Sequence, residues 1–243
     1  MAQKSDLIAA IQFTHNETLA FAGELSEAER STPGLVDHWT AHDIFAHLAF
    51  SNRQMAETLD SARHGDAPPA GLNNEEVYHL YKGQPWENIF AEIRQTNFSL
   101  LEQVQALSEA ELNAPAEWSQ GRLLWRIIAG NAILHPLIHL AQAYIERGAG
   151  QEALQLDERM YSIVSPLDDT PDWQGMFLYN TGCFYALLGN KPLALENLEK
   201  SYKLSPRMLE VSKQDTDLVS LQRDPDFLAL LGRFSAPQQA SGS

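Results

Sequence analysis

The sequence predicts an all-α protein made of two helical units, and three observations lead to this fold class. Apolar residues recur at the three-and-four spacing of helix faces along most of the chain. No segment shows the alternation of apolar and polar residues that is typical of a strand, and no hairpin motif joins two such segments. Breaks rich in proline and glycine separate the periodic segments, so several helices of moderate length are expected to pack together.

Four long periodic segments predict a four-helix bundle over residues 1–148. The predicted helices cover residues 4–24, 41–63, 85–107 and 122–147. Pro33 and Gly34 separate the first two helices, and Thr40 with Asp43 forms a capping-box-like pair at the start of the second. Pro85 suits the first position of the third helix, because a proline lacks only an N–H that has no partner there.

A short sequence occurs twice within this bundle. LSEAER at residues 25–30 returns as LSEAEL at residues 107–112, and each copy follows a long helix. Each copy also precedes a proline, a tryptophan and another long helix. Two explanations remain open: the bundle consists of two related helix pairs, or LSEAE is simply a common way to start a helix.

Residues 149–234 predict a second unit with tetratricopeptide-like helical hairpins. Leu178, Gly182, Tyr185, Ala194, Leu198 and Pro206 follow the spacing of that repeat, and the small residues among them allow paired helices to approach closely. A weaker match with Tyr144 begins inside the fourth bundle helix, which would then serve both units. Residues 235–243 are small and polar, and we expect a disordered tail.

Charge and composition exclude several classes of function. The formal net charge is −15, from 17 Lys and Arg against 32 Asp and Glu, so phosphate backbones and anionic membrane surfaces repel the chain. We therefore expect neither a nucleic-acid partner nor a membrane partner. The sequence contains no run of about 18 apolar residues and no signal-peptide pattern. Its single cysteine, Cys183, cannot form an internal disulfide, which fits a cytoplasmic location.

Three of the eight histidines form the strongest candidate for a chemical site. His135 and His139 are four residues apart on a predicted helix, so both rings can reach one cation. His47 lies among apolar residues of the second helix and is expected to point into the bundle. The alternative is that these are core histidines, hydrogen-bonded to neighbouring polar groups.

Two stretches resemble the signatures of the DinB superfamily. They are DHWTAHDIFAHLAFSNRQM in the second helix and GRLLWRIIAGNAILHPLIHLAQAYIERG in the fourth. The superfamily places one histidine on the second helix and a pair spaced by four on the fourth, which map onto His47, His135 and His139. The lead into the fourth helix at residues 118–122 and the stretch at residues 73–78 are similar to the ClbS/DfsB branch.

The resemblance implies a four-helix bundle with a site for a divalent ion such as zinc, nickel or iron. Members include thiol-dependent transferases and isomerases, and resistance proteins that hydrolyse a reactive toxin.

Pro136 lies beside His135 and should distort the fourth helix, because proline lacks an N–H and crowds the carbonyl of residue 132. Asp43 is a candidate to orient His47, with helix capping as the alternative role.

Taken together, these features predict a metal-dependent protein that acts on a small reactive electrophile by hydrolysis or thiol transfer, in detoxification or self-resistance. The metal ligands would be His47, His135 and His139, and no catalytic acid or base is identified. The alternative is a non-enzymatic small-molecule-binding or scaffold protein, whose repeats recruit a protein partner. A homodimer remains open. Trp39, Trp118 and Trp125 are candidates for the wall of an apolar pocket, and Cys183 is expected to be a small core residue.

Overall fold

The computed structural model describes residues 3–64 and 66–235 of the chain. The backbone divides into two compact units, Met1–Ala143 and Tyr144–Ser243. The tail predicted to be disordered covers residues 235–243, and its part beyond residue 235 lies outside the described residues. The predicted domain boundary at residue 148 concerns which segments fold independently, and it stays a prediction. None of the described helices combines the length and the hydropathy that a membrane span requires.

The described residues confirm the all-α prediction, because they contain no strand and only two isolated bridges, Leu35 with His38 and Pro115 with Leu123. The helices that begin in the first unit are α1 (Lys4–Glu24), α2 (Glu27–Ser31), α3 (Ala41–His64), α4 (Asn74–Tyr81), α5 (Trp86–Ala106), α6 (Glu109–Leu112), α7 (Leu124–Ala129) and α8 (His135–Glu146). The bounds of α1, α3 and α5 agree with the predicted ones to within about two residues.

The long helices of the first unit share one apolar core. The side chains that are almost fully buried there include Leu7, Ile11 and Phe21 of α1, Phe45, Leu48 and Leu59 of α3, and Ile89, Ile93 and Leu100 of α5. Their three-and-four spacing gives each helix one apolar face, and removing those faces from water drives the packing. This core fixes the side of α3 on which His47 lies.

Three short helices of this unit begin with a capping box. Ser26 with Glu29 starts α2, Asn73 with Glu76 starts α4, and Ser108 with Glu111 starts α6. Helix α4 lies between the second and third predicted helices, where no helix was predicted, although the Asn-x-x-Glu pattern is a signal for it. Both copies of LSEAE therefore act as helix starts, as one of the two explanations expects.

The predicted fourth helix changes its hydrogen-bond pattern in the middle. Residues Gly130–Leu134 form a π-helical turn between α7 and α8, and the N–H of His135 donates to the carbonyl of Gly130. Pro136 cannot continue a regular α-helix from the preceding turn, so the chain leaves α geometry just before it. Such turns are frequent at functional sites, and this one directly precedes the predicted histidine pair.

The second unit consists of helices joined by short turns. They are α9 (Gly150–Val164), α10 (Pro171–Leu187), α11 (Lys191–Leu204), α12 (Met208–Ser212) and α13 (Pro225–Ser235). Helices α10 and α11 form a hairpin, and Gly189 in its turn has a φ of 73°. A Cβ atom on Gly182 would lie 2.9 Å from Cγ of Leu198, so glycine permits the close approach of the two helices.

Candidate metal centre

Two helices of the first unit supply the three predicted ligands. His47 lies in the second turn of α3, between the buried residues Phe45 and Leu48, and only 9% of its surface is exposed. His135 is the first residue of α8, and His139 follows one turn later. Because residues four apart lie on one helix face, both rings of α8 point the same way.

The structure brings the three imidazoles together at their Nε2 atoms. Nε2 of His135 lies 2.8 Å from Nε2 of His47 and 3.1 Å from Nε2 of His139. The three ligand atoms all lie within 4.8 Å of one another. The ring planes are steeply inclined to each other, by 78°, 78° and 72°. Three lone pairs can therefore converge on one point.

Burial keeps all three rings in the neutral form that binds metals. It lowers the pKa of His47 to about 4 and that of His135 to about 3, and the neighbouring imidazoles add to both shifts. The pKa of His139 is also lowered by burial, although a hydrogen bond with Gln142 opposes the shift. At neutral pH none of the three rings needs to lose a proton before it can coordinate an ion.

The spacing of the three nitrogens fits a tetrahedral ion. Zinc–nitrogen bonds of about 2.0–2.1 Å place tetrahedral ligand atoms roughly 3.3 Å apart. The observed separations of 2.8 and 3.1 Å need only a small outward movement of the rings to reach that value. Neutral imidazoles suit zinc, nickel and iron alike, so the donor set does not select among them.

The cluster is made of imidazole alone. Among the residues that the structure describes, no carboxylate or thiolate joins the three histidines within the same group. The Nδ1 atoms of His47 and His135 are buried, and within residues 3–64 and 66–235 neither has a hydrogen-bond partner. Metal-bound histidines usually donate this second N–H to a carboxylate or a carbonyl. Some other contact must therefore hold these two rings in place.

A further histidine, His42, lies in the first turn of α3, where solvent exposure is common, but it is not exposed. Its side chain is buried, with 2% of the residue exposed, and its Nε2 lies 3.1 Å from the carbonyl oxygen of Gln84. Nδ1 of His42 lies 3.7 Å from Oδ1 of Asp43, a distance that suits an ion pair but is too long for a hydrogen bond. The Asp43 carboxylate raises the pKa of His42, against the effect of burial.

Asp43 caps α3 through hydrogen bonds from the loop that precedes the helix. Its Oδ2 accepts hydrogen bonds from the backbone N–H of Thr40, at 2.9 Å, and of Gly34, at 2.6 Å. Burial raises the pKa of Asp43, but His42 and the two N–H groups outweigh burial and lower it. Of the two roles considered for this residue, the capping role is the one that its contacts support.

The tryptophans considered as pocket walls lie in different surroundings. Trp39 contacts the rings of His47 and His139. Trp118 lines a separate cavity of about 280 Å³ with Leu59 and other residues, and Trp125 is almost fully buried in the core. In the second unit Cys183 is buried and burial raises its pKa, as expected of a core residue without a nucleophilic role.

Residues 13–137 match the family model of the mycothiol maleylpyruvate isomerase N-terminal domain. The match covers more than half of the chain. The chain belongs to this family. Because the mycothiol maleylpyruvate isomerase N-terminal domain is a DinB-like helical domain, the resemblance seen in the sequence is confirmed at that level. The matched segment includes His47 and His135 and ends shortly before His139. No curated protein and no solved structure gives a significant match.

Proposed function

We propose that this protein uses a divalent ion, held by Nε2 of His47, His135 and His139, to add a thiol to a small electrophile. The observation that carries the proposal is the convergence of three neutral imidazoles at separations of 2.8 and 3.1 Å. A structural role for these side chains would be served by hydrogen bonds to other polar groups. The histidines instead meet one another at Nε2, and in the tautomer with the proton on Nδ1 each ring offers its Nε2 lone pair to a common ligand.

The number of ligands supports a catalytic site over a structural one. Structural zinc sites use four protein ligands, whereas catalytic sites use three and leave one position for water or substrate. His135 and His139 are only partly buried, so the site keeps some of the exposure to solvent that access for a small molecule requires. When bound, a divalent ion lowers the pKa of a thiol or a water molecule and supplies a nucleophile at neutral pH.

The charge of the site favours an anionic substrate group. Three neutral imidazoles leave the two positive charges of the ion uncompensated, and the cluster contains no carboxylate among the described residues. A thiolate in the fourth position would reduce that charge, and it is a softer ligand for zinc than water. The histidines would bind and orient this group next to the electrophile, while their burial limits competition from water.

The family supports a thiol as the nucleophile. Its model is named after an isomerase that uses mycothiol, so a low-molecular-weight thiol of that class is the first candidate substrate. The resemblance of residues 118–122 to the ClbS/DfsB branch supports hydrolysis of a reactive toxin as the competing reaction. Detoxification is the role that both reactions would serve.

The first experiment measures the metal. Purified protein should contain about one zinc, nickel or iron ion per chain, or take up one on incubation with the ion. His139→Ala should abolish stoichiometric binding, because two imidazoles hold an ion weakly. His79→Ala is the matched control, since His79 is exposed and lies outside the cluster. Unchanged stoichiometry in His139→Ala would show that this site is not the metal site.

The second experiment separates thiol transfer from hydrolysis. The metal-loaded protein is assayed with activated electrophiles, with and without added mycothiol or another small thiol. We expect turnover that needs both the metal and the thiol and that is lost in His47→Ala. Turnover without a thiol would indicate hydrolysis instead. A protein that binds metal but turns over none of these compounds would support the binding or scaffold role.

We also propose that the second unit is a tetratricopeptide-like segment that can recruit a protein partner. The hairpin of α10 and α11 supports this proposal, because Gly182 and the fully buried Ala194 lie at the repeat positions where small residues are required. A pull-down with the full chain and with Gly182→Leu tests it. We expect a protein partner that is recovered with the wild-type chain and not with Gly182→Leu.

A further inference from the structure

The side chain of Trp39 lies against two of the three candidate ligands. Its ring centroid is 4.9 Å from that of His47 and 6.2 Å from that of His139, with interplanar angles of 48° and 34°. Its indole N–H donates a hydrogen bond of 3.1 Å to the carbonyl of Val36, which fixes the ring's orientation. Trp39 is partly buried and precedes α3 by two residues.

The contact with Trp39 matters because His47 lacks a hydrogen bond that metal-bound histidines usually make. In the described part of the chain, Nδ1 of His47 has no hydrogen-bond partner, although it is buried. A metal-bound imidazole without such a partner is free to rotate about its side-chain bonds, and the misplaced nitrogen binds the ion less well. Packing against a large, fixed ring restricts the same rotation.

The loop that carries Trp39 is tied down at several points. The N–H of Gly34 and the N–H of Thr40 both donate to Asp43, and the hydroxyl of Thr40 donates to the carbonyl of Thr32 at 2.7 Å. The hydroxyl of Tyr78 in α4 donates to the carbonyl of Gly34 at 2.9 Å. These bonds join the loop both to α3 and to α4, so Trp39 is presented on a rigid support.

Gly34 is required for this loop conformation. A Cβ atom there would overlap with the carbonyl oxygen of His38 and would lie 2.9 Å from Oδ2 of Asp43, which is too short for a real contact. Leu35 and His38 exchange two backbone hydrogen bonds of 2.9 and 3.1 Å across the same turn. Any larger residue at position 34 must therefore open the turn that leads to Trp39.

We propose that Trp39 is a positioning residue for the metal site, and that its ring, held by the loop of residues 32–40, orients His47 in place of a hydrogen bond to Nδ1 and also packs against His139. This inference rests on the proposed metal site. It assigns to Asp43, Gly34 and Tyr78 an indirect role, because they support the loop and do not touch the ligands. The loop and the cluster should then respond together to substitutions in either one.

The test compares the affinity for zinc and the absorption spectrum of the cobalt-loaded protein in wild type, Trp39→Ala and Trp39→Phe. Trp39→Ala should weaken zinc binding by about 10–100-fold, the range typical of residues that orient metal ligands. Its cobalt bands should also shift, because the ligand geometry changes. Trp39→Phe keeps an aromatic face and should lose less affinity. Trp118→Ala removes an equally large, partly buried ring elsewhere in the unit and should change neither readout.

Each outcome decides between the two proposals. If wild type binds zinc and Trp39→Ala binds it equally well with the same cobalt spectrum, the role of Trp39 is overturned and the metal site stands. If wild type binds neither ion, both are overturned. If Trp39→Ala does not fold, Gly34→Ala takes its place, since it disturbs the loop and keeps the tryptophan. Unchanged zinc affinity in Gly34→Ala would then overturn the proposal.

Discussion

His42 and His47 lie fewer than two turns apart on α3, yet their surroundings are opposite. His42 lies next to the Asp43 carboxylate and close to the carbonyl of Gln84, and the carboxylate raises its pKa. The ring of His47 lies against the rings of Trp39 and His135, and burial lowers its pKa to about 4. Both side chains are buried, so burial alone does not separate the two cases.

The difference shows how a structural histidine can be told from a candidate ligand. A histidine that stabilises a fold is expected to contact polar groups of the protein, as His42 does at Nε2 with the carbonyl of Gln84 and through the charge of Asp43 at 3.7 Å. His47 is instead kept neutral, and its Nε2 lies 2.8 Å from Nε2 of His135, where the two rings can share a ligand. The following experiments test this distinction, beginning with the largest expected effect.

Zinc should stabilise the protein through the cluster and through no other histidine. At a free zinc concentration 1,000 times the Kd, binding to the folded state alone adds about 4.1 kcal/mol to the free energy of unfolding. This gain should disappear in His47→Ala and persist in His42→Ala. Urea unfolding with and without zinc measures it. A gain that persists in His47→Ala and disappears in His42→Ala would reverse the two assignments.

The sequence was sufficient to predict that the three candidate ligands lie close together, but not to predict the burial of His42. His135 and His139 are four apart on one helix, and His47 lies on an apolar face, so periodicity alone brings all three inward. His42 lies at the start of a helix, where periodicity predicts exposure. It is buried because residues 82–85 lead the chain back over it, with Gln84 at 3.1 Å, and that contact joins residues 42 positions apart. Local patterns do not encode such a contact.

Removing His42 should reduce stability without reducing zinc affinity. His42→Ala leaves a cavity, takes away the ring nitrogen that faces the carbonyl of Gln84, and removes one of the groups that stabilise the buried Asp43 carboxylate. The free energy of unfolding of the zinc-free protein should fall by about 3 kcal/mol. Calorimetry of zinc binding on the same variant should give a Kd close to that of wild type. A large loss of affinity would mean that His42 belongs to the metal site.

A substitution in the second unit provides the control for global destabilisation. Gly182→Leu places atoms where even a Cβ lies 2.9 Å from Leu198, and overpacking of this kind costs about 2 kcal/mol. Gly232→Leu in α13 has open space around it and should cost much less. Neither change should alter the Kd for zinc. A weaker Kd in Gly182→Leu would show that loss of stability by itself disturbs the cluster.

The short helices and the π turn mark the other limit of prediction from sequence. Helix α4 has a clear signal in Asn73 and Glu76, which form a capping box, but the sequence prediction did not include this helix. The π turn at Gly130–Leu134 could be located only approximately, because Pro136 requires an irregularity without specifying its form. Its register decides where the ring of His135 points, so the final geometry of the cluster required the structure.

The smallest expected effect is a difference in pH dependence between the two kinds of histidine. Asp43 raises the pKa of His42 in the folded protein above its ordinary value of 6.5, so the folded state holds this proton more tightly than the unfolded state does. The resulting stability is fully present below pH 6.5 and is lost as the pH rises through the folded pKa. For His47 and His135 the folded pKa values are lowered to about 4 and 3, so their contribution falls as the pH drops below 6.5.

The opposing trends can be separated by comparing wild type with His42→Gln, which keeps an amide N–H able to reach the carbonyl of Gln84. Both proteins contain His47, His135 and His139, so the contribution of the cluster cancels in the difference between their free energies of unfolding. That difference should favour wild type more at pH 6 than at pH 9 when both zinc-free proteins are unfolded in urea. A difference that grows towards pH 9 would mean that His42 is buried in its neutral form. His42 would then be a neutral, buried imidazole like the three histidines of the cluster. Its pairing with Asp43 could no longer serve to distinguish a structural histidine from a metal ligand.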